Sequence, residues 1–368
     1  MLFEVPQAHP AMLVLAREAA AKTQAEVAQA MRDIGGRDVS QGYVSRAEAG
    51  RLAVTGERLD LYARALEVTP ELLCLDPEAA QVGVGLIHHR KKAALTGPAL
   101  RCIHARLALT RLQVAGLLET AGALPAEGRF VQVEPDALTP PRDAAAKVRA
   151  AWGLSPGPIP DLIAAAEAAG AVVLVRDLGS EHLDAVSVWI TGRYPLLLVS
   201  SRSPADRRRF SIAHEIAHLV MHQTPGTGAA QEKQADEFAS ALLMPALDIR
   251  RDLEAAPVDL ARLLALKARW GVSMGALAKR AQQLGRLSDW AHRNVMVEMS
   301  ALGYRTTEPG AIEPESPSRV RAALDTLRGH KNMTDDEIAE RMHLLPKAFA
   351  QLYAPDAAGE GLIEEQTG

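Results

Sequence analysis

Residues 210–221 read Phe-Ser-Ile-Ala-His-Glu-Ile-Ala-His-Leu-Val-Met, apolar on nearly every face a helix would present. This strongly apolar helix carries three ionisable groups, His214, Glu215 and His218. His214 and His218 are four residues apart, so their imidazoles project from one face and their nitrogens can meet at one cation. Two histidines packed in a core would have the same spacing, so the pattern needs a third member.

A third member is available. A catalytic zinc site uses three protein ligands and keeps a fourth position open. Glu232 follows His218 by fourteen residues, and Asp236 lies four further on, in a second helical run at 229–243. A turn at 225–228 (Pro-Gly-Thr-Gly) lets the second helix lie antiparallel to the first. The reading is that His214, His218 and Glu232 hold Zn2+. Asp236, one turn on, accepts a hydrogen bond from the other nitrogen of a ligand histidine and fixes its tautomer. The bland alternative for Asp236 is a solvated helix-face charge. Glu215, beside the first ligand, is placed to act as a base, taking a proton from water activated by the metal and passing it to a leaving amine. Glu237 falls off the shared face. His222 extends the histidine stripe, either as a spare ligand or as a cap at the helix end.

Of the 368 residues, 48% are hydrophobic and 23% charged, an ordinary globular balance, and the length favours two or three domains. Aromatics are only 4%, which favours helices packed on small and aliphatic side chains over a β-sandwich. The expected class is α+β, mostly helical. The formal net charge of −4 argues against indiscriminate nucleic-acid binding. Cys74 and Cys102 form no CxxC pair and too small a set for a disulfide framework, so a reducing cytoplasm is expected. No run approaches the roughly 20 apolar residues that cross a bilayer, and no secretory signal is visible.

Along the chain, residues 1–76 read as a cluster of short helices. Thr23 and Glu26 form a capping box, and Ser40 starts a short helix that Gly50 ends. Residues 77–140 read as a linker, with the basic run His88-His89-Arg90-Lys91-Lys92, followed by a helix from about 99 to 121. Residues 141–310 hold helices around three short apolar runs, at 171–176, 185–191 and 195–200, which read as strands, the last two as a hairpin about Gly192-Arg193. Helices are expected at 205–221 and 229–243, the second ended by Pro245. Residues 311–368 read as helical with a frayed tail from 354; the runs 333–342 and 344–353 read as a plain helical pair, with a second helix-turn-helix as the alternative, and Thr334 and Glu337 form another capping box there.

The run from Arg207 to His222, followed by Glu232-Lys-Gln-Ala-Asp-Glu-Phe-Ala-Ser-Ala-Leu-Leu-Met-Pro245, resembles the ImmA/IrrE family of metallopeptidases. Gly157-Pro-Ile-Pro160, Asp184-Ala-Val-Ser187, Lys267-Ala-Arg-Trp-Gly-Val-Ser273 and Ala276-Leu-Ala-Lys-Arg-Ala281 match in the same order, so the likeness spans about 140–310. It implies a zincin-like (gluzincin) domain, with His214, His218 and Glu232 as ligands and Glu215 as base. Ala217 stands where the family often has Gly, a change a helix tolerates. Tyr194 and Arg208 are the candidates for a transition-state stabiliser, with Arg208 the more structural.

Residues 11–75 resemble an XRE-type helix-turn-helix, through Ala16-Arg17, Thr23-Gln-Ala-Glu-Val-Ala28, Val39-Ser-Gln-Gly-Tyr-Val-Ser-Arg-Ala-Glu-Ala-Gly50 and residues 61–73. The resemblance implies that Gln24 contacts phosphate and that Ser40, Gln41, Tyr43 and Arg46 lie on or near a recognition helix. Eight basic against ten acidic residues in 1–75 leave a net −2, which does not attract phosphate strongly. The fusion implies a zinc-dependent regulatory endopeptidase that cleaves a partner XRE-type repressor in a stress-response or mobile-element circuit. DNA would be bound through the N-terminal domain, and a homodimer is a further expectation. The competing reading is a DNA-binding regulator or antitoxin whose zinc is structural or sensory.

Overall fold

The computed structural model describes residues 5–35, 38–78, 86–89, 97–125, 129–133, 139–180, 183–190, 193–222 and 228–353. Two compact units are formed. One comprises residues 1–84, 95–124 and 320–368, and the other residues 85–94 and 125–319.

The first unit begins with five short helices whose starts are written in their caps. Pro10 occupies the first turn of α1 (Pro10–Ala19), and His9 Nδ1 accepts from the Ala11 amide. At α2 (Gln24–Asp33) the predicted capping box is in place, with Thr23 and Glu26 each accepting from the other's amide. Ser40 caps α3 (Gln41–Glu48), and α4 (Gly56–Leu66) and α5 (Pro70–Leu73) follow. Val27, Ala28, Val44 and Leu61, the residues expected in the core, are all buried, with Tyr62 among them. A half-buried Arg17–Glu48 pair, 2.7 Å apart, ties α1 to α3.

Sequence reading makes residues 77–140 a linker and one helix. Instead the chain contributes β1 (Leu86–His89) to the sheet of the second unit, then returns as α6 (Gly97–Ala121) to pack on α1. Arg90–Lys92 of the basic run lie outside the described residues.

In the second unit α7 (Pro141–Ala151) and α8 (Leu162–Ala168) precede β2 (Val172–Arg176), β3 (Ala185–Trp189) and β4 (Leu196–Ser200). Strand order is β1-β3-β4-β2. β1 and β4 each pair antiparallel with β3, and β2 pairs parallel with β4. The antiparallel β3–β4 pair is the expected hairpin partnership; Gly192 of its turn lies outside the described residues. All five residues of β4 are buried, as a strand covered on both faces requires. Beneath β3 and β4 runs α9 (Ala205–Met221), which packs on its other side against α10 (Ala229–Leu243); both helices have the bounds read from sequence. The 225–227 part of the turn between them lies outside the described residues. Next come α11 (Ala246–Glu254), α12 (Leu260–Trp270), α13 (Met274–Gln283) and α14 (Asp289–Ala301).

An irregular stretch, residues 303–318, then sends carboxylates back to helix N-termini, where free amides and the helix dipole favour negative charge. Glu308 accepts from the Met274 and Gly275 amides, and Glu315 from those of Leu162 and Ile163. The C-terminal region holds α15 (Arg319–Gly329) and then the expected pair, α16 (Asp335–Arg341) and α17 (Pro346–Tyr353). They belong to the first unit, where α16 packs on α6. The contact is close enough that a Cβ on Gly116 would stand 2.3 Å from the Arg341 carbonyl oxygen. The expected frayed tail lies outside the described residues. Among those described, no helix is long and apolar enough to cross a membrane.

Candidate metal centre

His214, Glu215 and His218 lie in the most deeply buried part of α9, none more than 1% exposed. Glu232 reaches them from the first turn of α10, with its side chain 35% exposed, so the cluster is closed on the α9 side and open on the α10 side. The Nε2 atoms of His214 and His218 face each other across 3.1 Å, and Glu232 places one carboxylate oxygen 3.3 Å from the first and the other 3.4 Å from the second. Burial alone would raise the Glu232 pKa, but hydrogen bonds and charge from the two histidines outweigh it and hold the carboxyl well below its ordinary range.

Each histidine is backed by an acceptor at its other nitrogen. His214 Nδ1 lies 2.9 Å from Asp236 Oδ1, the contact expected of Asp236. His218 Nδ1 lies 2.9 Å from His222 Nδ1, and His222 Nε2 lies 3.0 Å from Gln234 Oε1. If both Nε2 atoms face a cation, the protons are ordered. His214 Nδ1–H donates to Asp236, His218 Nδ1–H donates to His222, and His222 Nε2–H donates to Gln234. His222, the C-cap of α9, thus joins His218 to Gln234, and burial holds its pKa down. Glu237 instead lies within electrostatic reach of Arg280.

Glu215 is held by one oxygen only. The Ser187 hydroxyl, on the fully buried strand position opposite Leu197, donates to Glu215 Oε2 at 2.6 Å. Oε1 is buried and has no hydrogen-bond partner among the described residues. A buried carboxylate oxygen without a donor, beside two convergent imidazoles and a carboxylate, suits a site built to hold a divalent cation and a water. Three N/O ligands leaving room for a fourth are the donor set zinc takes in catalytic sites.

The surrounding sequence motifs hold these helices in place. Arg149 donates to the Leu242, Ser155 and Gly157 carbonyls, and Asp248 accepts from the Gly157 amide. Arg209, on α9, donates to the Ile159 carbonyl and pairs with Glu315. Lys267, 4% exposed, bridges Asp206 and Glu308 at 2.6 and 2.9 Å. Gly271 ends α12 at φ +65°, and a Cβ there would meet Arg209 Nε at 3.0 Å, so both backbone and space require glycine.

Residues 166–282 match the family model of the IrrE N-terminal-like domain of the M78 peptidases, and residues 13–73 match that of the helix-turn-helix. The chain fuses an XRE-type helix-turn-helix domain to an IrrE-like peptidase-family domain. No curated protein matches it. The IrrE-like domain holds all three members of the His214–His218–Glu232 cluster, together with Glu215, Ser187, His222, Gln234 and Asp236. Sequence reading missed the connections of Ser187 and Gln234. The signal for Ser187 was a lone hydroxyl in an otherwise apolar strand; for Gln234 it was a position two residues past Glu232. Arg208 donates to the Ser201 and Ser203 carbonyls in the turn before α9, a structural task.

In the helix-turn-helix domain Gln41 and Arg46 are exposed on α3. Gln41 donates to Gln24 Oε1 at 2.8 Å, and Gln24 donates to Glu48 at 2.9 Å, so the three form one polar chain across α2 and α3. The Ser40 hydroxyl accepts from the Tyr43 amide as a helix cap. Tyr43 is half-buried against Tyr62 under the Arg58 guanidinium, a packing position rather than a reaching one.

Proposed function

We propose that this protein is a zinc-dependent endopeptidase that cleaves a partner transcriptional repressor of the XRE type, with DNA bound through its own helix-turn-helix domain. The observation that carries the reading is the convergence of His214, His218 and Glu232 beside a buried Glu215 whose Oε1 has no partner among the described residues. The first three residues would hold zinc. When bound, the metal polarises the scissile carbonyl and acidifies water.

The remaining chemistry belongs to the chain. Ser187 fixes Oε2 of Glu215, which leaves Oε1 to take the proton of the attacking water and return it to the leaving amine. Asp236 and His222 accept from the Nδ1–H groups of His214 and His218 and so hold each ring with Nε2 forward. Glu232 meets solvent, which leaves the cluster accessible. On α3, Gln41 and Arg46 face outward to meet DNA, and the polar chain through Gln24 sets the pose of Gln41.

Zinc-loaded protein incubated with a purified XRE-type repressor is expected to give discrete fragments. Glu215→Gln is expected to abolish them while zinc content stays at one ion per chain. Cleavage that persists in Glu215→Gln refutes the base assignment. Tight operator binding with no cleavage by the wild type supports the sensory reading instead.

A further inference from the structure

The edge strand of the sheet comes from an unexpected part of the sequence. β1 lies about a hundred positions before its partner and outside the 166–282 match, yet it pairs antiparallel with β3 along its whole length, Leu86 opposite Trp189 and His89 opposite Val186. β3 is the strand that carries Ser187, whose hydroxyl holds the Glu215 carboxylate. β1 also packs on α9, the helix of His214 and His218. The backbone of Leu86–His89 thus pairs with β3 and packs on the helix that bears the proposed chemistry.

An unpaired strand edge binds an extended polypeptide by main-chain hydrogen bonds, with little demand on its side chains. Without β1, β3 would become an edge strand of the sheet among the described residues. A peptide added there lies beside the carboxylate that Ser187 orients. We infer that the β3 edge is the docking surface for extended substrate polypeptide, and that Leu86–His89 is an internal occupant which substrate must displace. This rests on the peptidase reading above. It explains why a segment of linker composition is drawn into the sheet, and it makes substrate entry a strand exchange.

The competition has a readable size. If the internal strand is paired nine-tenths of the time, about one molecule in ten is competent, and abolishing the pairing raises kcat/KM about tenfold. The variant is the full chain with Leu86→Gly, Ile87→Ser, His88→Gly and His89→Ser. The single change Ile87→Pro, which deletes one strand amide, is the second. Two measurements are made on zinc-loaded protein: amide exchange across β3, and cleavage of unfolded casein. Faster exchange in β3 with casein cleavage raised about tenfold supports the inference. Unchanged β3 exchange in both variants refutes the pairing. Faster exchange with unchanged cleavage by an active wild type refutes the competition. Faster exchange with no cleavage by any form refutes the peptidase reading and the competition with it, while the pairing stands. Self-cleavage of the wild type within 86–89, absent in Glu215→Gln, makes the strand a substrate and overturns its role as occupant.

Discussion

Replacing Asp236 by Ala and His222 by Phe removes, one at a time, the two acceptors behind the proposed ligand histidines, and burial ranks the two losses. Asp236 is a carboxylate, which chemical intuition makes the stronger partner, but its side chain is 50% exposed. When it is removed, water can reach His214 Nδ1–H. The cost is then the lost orientation and charge, at the low end of the ten- to hundredfold usual for such partners, about 1.4 kcal/mol. His222 is a neutral ring, but it is 4% exposed and sits against a histidine that is 1% exposed. A phenylalanine in its place leaves a buried donor facing carbon, which adds about 1–3 kcal/mol. The expected loss of zinc affinity is therefore about tenfold for Asp236→Ala and nearer a hundredfold for His222→Phe. Competition for zinc against a chromophoric chelator near neutral pH measures both. A larger loss for Asp236→Ala refutes the argument that burial sets the ranking. No loss in either variant refutes the centre itself.

Lys267→Met leaves Asp206 and Glu308 buried without their cation and is expected to cost about 3–5 kcal/mol, read by chemical denaturation. Gly116→Ala gains about 1 kcal/mol of helix propensity but drives a methyl into the Arg341 carbonyl, so a net loss is expected as a lowered melting temperature; a stabilised variant contradicts the α6–α16 packing. In the first unit burial depresses the pKa of His104 and His343. The unfolded chain therefore binds more protons once the pH falls below about 6.5, and the unit loses stability from there downward as far as the folded-state pKa values. The opening free energy of α6 amides, taken from exchange corrected for its intrinsic pH dependence and compared near pH 7.5 and 5.5 or so, is expected to fall at the acid end, and less so in His104→Leu.

The parts of this architecture that sequence made legible are those governed by local rules. The bounds of α9 and α10 follow from an apolar run, a turn and Pro245, and the starts of α2 and α3 follow from Thr23 and Ser40 acting as caps. The spacing of His214, His218, Glu232 and Asp236 was readable because helical geometry turns spacing into direction. Long-range partnerships were not. Leu-Ile-His-His is too short and too polar to announce a strand, and it becomes one only beside β3. Glu308 and Glu315 sit in a stretch without periodicity, and nothing local says that they finish α13 and α8. His222 has no mark of its role until Gln234, on another helix, gives its second nitrogen a partner.

Because the first unit is assembled from three stretches of chain, it cannot be finished in the order in which it is begun. The helices of residues 10–73 can gather their own core as soon as they are made, and α6 can join α1. The α6 surface around Gly116 waits for α16, and between the two come all the helices of the second unit and three of its four strands. At the pace of bacterial or eukaryotic ribosomes that interval is roughly ten to forty seconds. The unit of the proposed peptidase is complete before the unit that carries the helix-turn-helix is closed, so a ribosome that stalls between them releases the former without a finished form of the latter.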